Sequence, residues 1–431
     1  MKKTSVLDTA SMVGKNIELF GTIHTIRNHK KIVFIDLRDR TGVVQVVGNE
    51  THAHLNSEDI VKVTGTVKER PPHMVNDKIK TGNIEIVAEK IDVIGKAELP
   101  PFDMSKDTLQ LTLPTLLDYR SLSLRHPQIR AIFKVQAAIA EGFRKISTDI
   151  GCIEIFVPQI AGSSTEGGSE VFKFAYYDRE ATLTQSPQLY KQMLVPVFER
   201  VYTIAHAYRA EPSVTTRHLA ETIQLDCEMG HVTFEELLDD LEKVGVEMIR
   251  YAEETCEHEM KLFQEKKVLY GKIPRLKLTE AQEIIFKETK RDVRGEKDLS
   301  PRDEIDICAW AAKEHGTDFV TITHFPTGKR AFYTMPDPEN PEVSLSYDLL
   351  FRGLEIASGS QRIHNYKDLT ETIKKRGMNP KDFEMYLMAF KYGMPPEGGF
   401  SFGLERVTKN LLGLINIREA ALYPRDMDRI V

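Results

Sequence analysis

Arginine, glutamate and histidine gather in one stretch of this 431-residue chain in a pattern suited to phosphate chemistry. The apolar run Tyr202-Thr203-Ile204-Ala205-His206-Ala207 leads into Tyr208-Arg209-Ala210-Glu211, and a polar loop then reaches Arg217-His218 and a returning run to Glu228-Met229. A strand of this kind delivers Arg209 and Glu211 to its end, and the loop brings Arg217 and His218 back beside them. Converging guanidinium and imidazole groups suit a polyphosphate, because guanidinium pairs with phosphate oxygens in bidentate fashion. Over this segment alone, a hairpin with a charged tip would look the same. A second stretch, Gly398-Gly399-Phe400-Ser401-Phe402-Gly403-Leu404-Glu405-Arg406, sets glycines that admit a ligand close to the backbone just before a helix that carries Arg406. No Gly-Lys-Ser/Thr follows, so it is not a Walker loop, and it lacks the βαβ surroundings of a dinucleotide fingerprint. A third unit is a helix running into Ile153-Glu154-Ile155-Phe156-Val157-Pro158, a strand ended by proline.

The elements that must position these groups belong to a globular chain of two or three domains. Hydrophobic residues make up 41% and charged residues 28%, which excludes disorder. No apolar run is long enough for a membrane helix. No apolar signal region follows Met1-Lys2-Lys3-Thr4, and Cys152, Cys227, Cys256 and Cys308 lack CxxC or disulfide-framework spacing. These features predict a cytoplasmic protein with reduced thiols. The net charge of −6 is uneven: residues 1–96 hold 15 Lys+Arg against 12 Asp+Glu and five histidines, and the remainder carries −9. A mildly basic head on an acidic body fits a head that touches polyanion. In that head, Asn16–Thr22, Ile32–Arg38, Val43–Val47, Ile60–Glu69 and Ile84–Val93 have strand patterns, separated by turn chemistry. Five strands in this length predict a small oligonucleotide-binding barrel. Its ligand face would include Arg27, Phe34 and Gln45, beside the basic Asn28–Lys31 loop, an arrangement that holds single-stranded bases by stacking and phosphate attraction. An interior place for Phe34 is the competing reading.

From Leu99-Pro100-Pro101 to about Leu124 the chain is aperiodic, which predicts a linker. Ile129, Ile132, Phe133, Gln136, Ile139, Phe143 and Ile146 fall at helical spacing, as does a block from Phe234 to about Gln264. Further β segments are expected at Phe319–Phe325, Ala331–Met335 and Ser344–Ser358, then a glycine-rich strand and a helix over Leu404–Leu412. The strand spacing is too irregular for repeated βαβ units, so the predicted fold is α+β: the barrel, then a mainly antiparallel sheet with flanking helices.

Taken in order, the proline-ended strand, Tyr-Arg-Ala-Glu with Arg-His-Leu, and Gly-Leu-Glu-Arg resemble the three signature motifs of class II aminoacyl-tRNA synthetases. Ser186-Pro187-Gln188-Leu189-Tyr190-Lys191-Gln192, Thr165-Glu166-Gly167-Gly168, Gly359-Ser360-Gln361-Arg362, Asn416-Ile417-Arg418-Glu419 and Tyr423-Pro424-Arg425-Asp426 resemble the aspartyl-tRNA synthetases among them. The likeness covers essentially the whole chain, and its length suits the compact archaeal or eukaryotic type. It implies an anticodon-binding barrel over 1–98, a linker or hinge over 99–125 and a class II catalytic domain over 126–431. The motifs would fall at about 127–158, 201–230 and 398–413.

The implied activity is an ATP- and magnesium-dependent ligase that forms aspartyl-adenylate from L-aspartate and transfers it to tRNA-Asp, with tRNA-Asn left open. The resemblance assigns ATP to Arg209, Glu211, Arg217, His218 and Arg406, and magnesium to Asp348, Glu355 and Ser358. It assigns the aspartate side chain to Lys191 and Arg362, and the rest of the amino-acid pocket to Glu166, Ser186, Gln188, Asp226 and Ser358. Arg27, Phe34 and Gln45 would read the anticodon, and the chain would be a homodimer joined near Pro158.

Three residues depart from the family's pattern. Thr222 stands where a phenylalanine usually stacks on adenine, Ser401 replaces a common glycine and would crowd the approach to ATP, and His24 takes a barrel position that in some enzymes strict for tRNA-Asp holds tryptophan. Histidine there resembles enzymes that also charge tRNA-Asn. Asparaginyl-tRNA synthetases share the motifs, but their amino-acid loop usually reads Ser-Gly-Gln-Leu without the lysine. A catalytically weak nucleic-acid-binding paralogue is the other alternative, supported by Thr222 and Ser401 only.

Overall fold

Alternation with period two builds the first unit. The computed structural model describes residues 4–106, 108–162, 170–211, 215–263 and 266–430. Strands β1 (Asn16–His29), β2 (Ile32–Arg38), β3 (Val43–Asn49), β4 (Ile60–Glu69) and β5 (Ile84–Gly95) close into a barrel in the order β1-β2-β3-β5-β4. Val33, Ile35 and Leu37 point inward with Val44, Val46, Val61, Val63, Ile84 and Ile86, while Phe34 and Asp36 between them point out. β1 runs on past the expected Thr22, because Ile23–His29 pairs with β2 through the hairpin at Lys30 (φ +58°). Polar Arg27, Asn28 and His29 hid that extension from a hydrophobicity pattern.

The segment expected to be an aperiodic linker contains two short helices, α1 (Leu113–Asp118) and α2 (Arg120–Ser123). Thr112 caps the first, and Pro114 sits in its first turn, where a missing N–H breaks no helical bond. Residues 1–127 form one compact unit and 128–431 the other.

The second unit opens with α3 (Pro127–Asp149), followed by β6 (Ile153–Glu154). The expected strand to Pro158 is cut short. Only Ile153 and Glu154 pair with the sheet, the Ile155 N–H still reaches the Tyr202 carbonyl at 2.9 Å, and Phe156 is 88% exposed. β7 (Ile160–Ala161), β8 (Lys173–Tyr176) and β9 (Arg179–Leu183) form a separate small sheet, and α4 (Gln188–Phe198) follows. Next come β10 (Arg200–Tyr208), β11 (Glu221–Gly230), α5 (Phe234–Thr255), α6 (Glu257–Met260), β12 (Arg275–Lys277), α7 (Leu278–Thr289), α8 (Pro301–His315) and β13 (Phe319–Thr323). The chain ends through β14 (Ser346–Phe351), β15 (Leu354–Gln361), α9 (Tyr366–Lys375), α10 (Glu384–Lys391), β16 (Glu397–Gly403) and α11 (Leu404–Leu411).

The large sheet has the order β12-β13-β14-β15-β16-β11-β10-β6, antiparallel except at its two outermost pairs. Ala331–Met335, expected as a strand, contributes only an isolated bridge from Thr334 to Arg362. Ser344–Ser358, read as one β segment, is a hairpin that turns at Arg352 and Gly353, both with positive φ. One face of the sheet is closed by α3 and α5, whose Val135, Ile139, Phe143, Leu237, Leu241, Val244 and Met248 pack against Leu225, Cys227, Phe400 and Phe402. Thr233 and Glu236 form a capping box that starts α5. All four cysteines are buried and none is disulfide-bonded. Among the described residues no helix is long and apolar enough to cross a membrane.

Candidate active site

Alternation along β11 splits its residues between two environments. Leu225, Cys227 and Met229 enter the core, so Thr222, Gln224, Asp226 and Glu228 share the opposite face. That face, with β15 and β16 beside it, floors a cavity of about 490 Å³. Gly399 on β16 is obligatory here, because a Cβ would lie 2.4 Å from a Glu228 carboxylate oxygen and 2.2 Å from the Cys227 carbonyl.

Four buried charges organise one end of the cavity. Lys191, on the inner side of α4, donates to Asp226 at 2.7 Å and lies 3.1 Å from Glu228. Arg362 spans Glu228 with Nε at 2.7 Å and a terminal nitrogen at 3.2 Å, and also donates to Ser360 and the Gly399 carbonyl. Gln188 donates to Glu228 at 3.4 Å, and the Ser186 hydroxyl accepts from the Gln188 backbone. Burial works against the Lys191 charge, but Asp226 and Glu228 outweigh it and hold the ammonium above its ordinary value. Burial likewise opposes the Glu228 charge, yet Arg362 and Lys191 keep that carboxylate below its usual range. Asp226 has no guanidinium of its own, and there burial wins and raises it. Ser401, a departure from the family pattern, donates to the free oxygen of Asp226 at 3.1 Å, which glycine could not do.

The other end of the cavity is lined by cations: Arg209, Arg217, Lys329, Arg330 and Arg406, with His218 among them. Arg217 pairs with Glu304 at 3.0 Å and Arg406 with Glu355 at 3.3 Å, whereas Arg209 has no carboxylate partner among the described residues. Burial and the arginines Arg406, Arg209 and Arg217 lower the His218 pKa, which favours a neutral imidazole. Glu211 follows β10 and is half-buried outside the cavity lining, and Glu166 lies outside the described residues. Thr222 lines the cavity next to Gln224, whose side-chain oxygen is buried without a partner. Tyr333 is the one Phe, Tyr or Trp ring lining the cavity among the described residues, and it lies under Arg362.

Asp348 and Ser358 face each other across the β14–β15 hairpin, and Arg330 donates to both, at 2.7 and 3.2 Å. The second Asp348 oxygen is buried and has no partner. Burial, then the nearby Asp348, push the Glu355 carboxyl up to about 7. An orphaned carboxylate oxygen beside a second carboxyl and a hydroxyl fits a hard divalent cation. Among the described residues no three of His, Cys, Asp and Glu converge on one point. The protein would thus supply only part of a coordination shell, as suits magnesium completed by phosphate and water.

On the barrel, Arg27 pairs across to Phe34, and Asp36 pairs with Gln45, so all four share the outer face. Arg27 is half-exposed and lies 3.2 Å from Asp36, Phe34 meets His29 edge-on at 5.8 Å, and the Gln45 amide donates to Glu85 at 3.0 Å while largely covered. His24 lies in a neighbouring groove of the same unit with Arg27 and Phe102. Its Nδ1 accepts from Arg38 at 3.2 Å, and burial followed by the Arg38 charge lowers its pKa to about 4. His24 is therefore a neutral hydrogen-bonding group at physiological pH.

Glu228, Glu304 and Arg330 were not singled out in the sequence. Glu228 stands two residues after Asp226 on the same strand, so period-two alternation was a signal that could have found it. Glu304 and Arg330 reach the site from α8 and from a loop, with no local pattern to flag them.

A barrel followed by an antiparallel sheet bearing this cavity defines a class II aminoacyl-tRNA synthetase. Residues 112–427 match the tRNA synthetases class II (D, K and N), and residues 17–94 match the OB-fold nucleic acid binding domain; the chain belongs to that synthetase family. It is 42% identical to the aspartate–tRNA(Asp/Asn) ligase of Thermus thermophilus over 99% of both chains. It is 39% identical to the aspartate–tRNA(Asp) ligase of Pyrococcus horikoshii over 98% of both. Among solved structures, asparaginyl-tRNA synthetase of Pyrococcus horikoshii with asparaginyl-adenylate superposes with a TM-score of 0.90 at 31% identity, covering 100% of this chain and 99% of the other.

Proposed function

We propose that this chain is an aspartate–tRNA ligase that activates L-aspartate with ATP and passes the aspartyl group to the 3′ end of tRNA-Asp. The buried cations Lys191 and Arg362 on the cavity floor carry the reading. A substrate carboxylate taken out of water needs cations there, whereas a neutral amide does not. Pro187 and Lys191 also stand against the asparagine-type loop.

In the first step an α-carboxylate oxygen of aspartate attacks the α-phosphorus of ATP. A new P–O bond forms, the bond to the bridging β-phosphate oxygen breaks, and pyrophosphate leaves with that electron pair. In the second, a ribose hydroxyl of the tRNA terminus attacks the aspartyl carbonyl carbon and releases AMP. Arg209 would clamp the α-phosphate, Arg217 and His218 the β- and γ-phosphates, and Arg406 the γ end and the adenine face. Glu211 would meet the adenine or the terminal adenosine of the tRNA. Ser186, Gln188 and Asp226, with Glu166, would surround the α-ammonium. These groups act by fixing the reactants in line and neutralising charge as it develops. Asp348, Glu355 and Ser358 would hold magnesium, which when bound neutralises phosphate charge.

Residues 1–98 would bind the anticodon, with Phe34 stacking a base and Arg27 and Gln45 touching its neighbours. Residues 99–125 would serve as a hinge and 126–431 as the catalytic domain. Exposed Ile153, Phe156 and Ile160 around Pro158 support a homodimer through this segment. The four buried cysteines, none of them in a disulfide, support a cytoplasmic location.

The test is charging of tRNA-Asp and tRNA-Asn transcripts with labelled aspartate and, in parallel, asparagine. Aspartate on tRNA-Asp is the expected result. Aspartate on both would give His24 its role, and aspartate on tRNA-Asp alone would discard it. Asparagine charging, or none at all, would overturn the reading.

A further inference from the structure

Arg330 has no role in the reaction as drawn above, yet it occupies the centre of the carboxylate cluster. Its guanidinium donates to Asp348 at 2.7 Å and to the Ser358 hydroxyl at 3.2 Å, two of the three groups that would hold a divalent cation. The same guanidinium lies 3.9 Å above the Phe325 ring, and its other charged neighbours are Glu355 and Asp298. Its backbone is pinned: Arg376, just beyond α9, donates to the carbonyls of Thr327, Gly328 and Arg330. These bonds tie the backbone of the loop while the Arg330 side chain reaches into the cavity. Arg330 and Lys329 line the same cavity as Arg209 and Arg406, so a guanidinium released from Asp348 remains within a space built for polyphosphate.

We propose that Arg330 is a tethered counter-ion that holds the magnesium position in the free enzyme and yields it to the metal only when nucleotide arrives to receive the guanidinium. A guanidinium and a divalent cation cannot both take the short contact to Asp348, since like charges at such separations in a partly buried site repel strongly. ATP resolves the conflict, because its phosphates supply a new bidentate partner for the arginine at the moment the metal enters. Metal and nucleotide binding are coupled as a result, and the empty enzyme discriminates against free divalent ions.

The inference rests on the magnesium reading of Asp348, Glu355 and Ser358, and the experiment separates the two. Binding of Mn²⁺ alone is followed by loss of the free-ion electron paramagnetic resonance signal, with no turnover involved. It is measured for the full-length wild type, Arg330→Gln, Arg330→Lys and the double variant Arg330→Gln/Asp348→Asn, each with and without a non-hydrolysable ATP analogue. Circular dichroism confirms that each variant is folded. Without nucleotide, Arg330→Gln is expected to bind Mn²⁺ at least about tenfold more tightly than wild type, because a positive charge has left the site. Arg330→Lys should stay near wild type, and the double variant should lose the gain. Equal affinity of wild type and Arg330→Gln, alongside metal uptake with the analogue that requires Asp348, would overturn the counter-ion role and leave the magnesium site standing. Absence of Asp348-dependent metal uptake in every arm would overturn both.

Discussion

Replacing Lys191 with methionine keeps most of the side-chain volume and removes the charge. In the native protein the ammonium is 1% exposed and lies 2.7 Å from Asp226 and 3.1 Å from Glu228. Glu228 keeps its bidentate Arg362, but Asp226 is left with the Ser401 hydroxyl alone. Removing one partner of a buried ion pair costs about 3–5 kcal/mol, most of it the burden of the stranded charge. Stability should fall accordingly, and the Asp226 carboxyl, already raised by burial, should be raised further once the ammonium is gone. The effect on aspartate is separate: its side-chain carboxylate loses one of two cations, worth about 3–4 kcal/mol, or roughly 10²–10³ in kcat/KM. Adding Asp226→Asn to Lys191→Met should recover stability by removing the stranded carboxylate, and leave aspartate activation at least as poor as before, since Asp226 would also face the α-ammonium. The assay is ATP–pyrophosphate exchange with aspartate, beside thermal unfolding of each variant. A folded Lys191→Met enzyme within about threefold of wild-type kcat/KM would refute the assignment of this ammonium to the substrate.

Burial raises the Glu405 carboxyl to about 7 while it accepts from the Ile223 N–H. Because this folded value exceeds the unfolded one near 4.3, the contribution is full at low pH and is lost as pH rises towards 7, by about 3 kcal/mol. Urea unfolding between pH 4 and 8 should show that slope in wild type and a flatter one in Glu405→Gln; equal slopes would contradict it. Phe34→Ala should weaken tRNA binding by about 1–3 kcal/mol with amino-acid activation untouched, as filter binding and pyrophosphate exchange would report. Phe156→Asp should shift sedimentation from dimer to monomer, and an unchanged sedimentation coefficient would remove Phe156 from the interface.

The barrel was legible because each strand keeps one face apolar and one polar, and the ordered motifs were legible because their chemistry is local. What escaped depends on long-range packing. The resemblance gave Lys191 to the substrate, but that α4 turns it inward against carboxylates 35 and 37 residues away has no local signal. α4 itself was hidden by Pro196 within its last turn. α7 and α8 carry their apolar residues on a face that meets β13, so their periodicity means little until that strand is in place. Ser401, expected only to crowd the approach to ATP, also donates a hydrogen bond, a contact set by the Asp226–Ser401 register.

The place of β16 in the sheet has a consequence for how the protein is made. It is the last strand of the chain, within residues 397–431, yet it lies between β15 and β11, with Gln224 opposite Gly403. Until it arrives, β11 and β15 each present an unpaired edge, and the cavity has no floor. The barrel closes from strands all within the first 95 residues and can form early on the ribosome. The catalytic unit must wait for almost the whole chain, holding two exposed edges that invite pairing with other nascent chains. Truncations near the C-terminus should accordingly yield a folded barrel joined to an aggregating remainder, rather than a weakened enzyme.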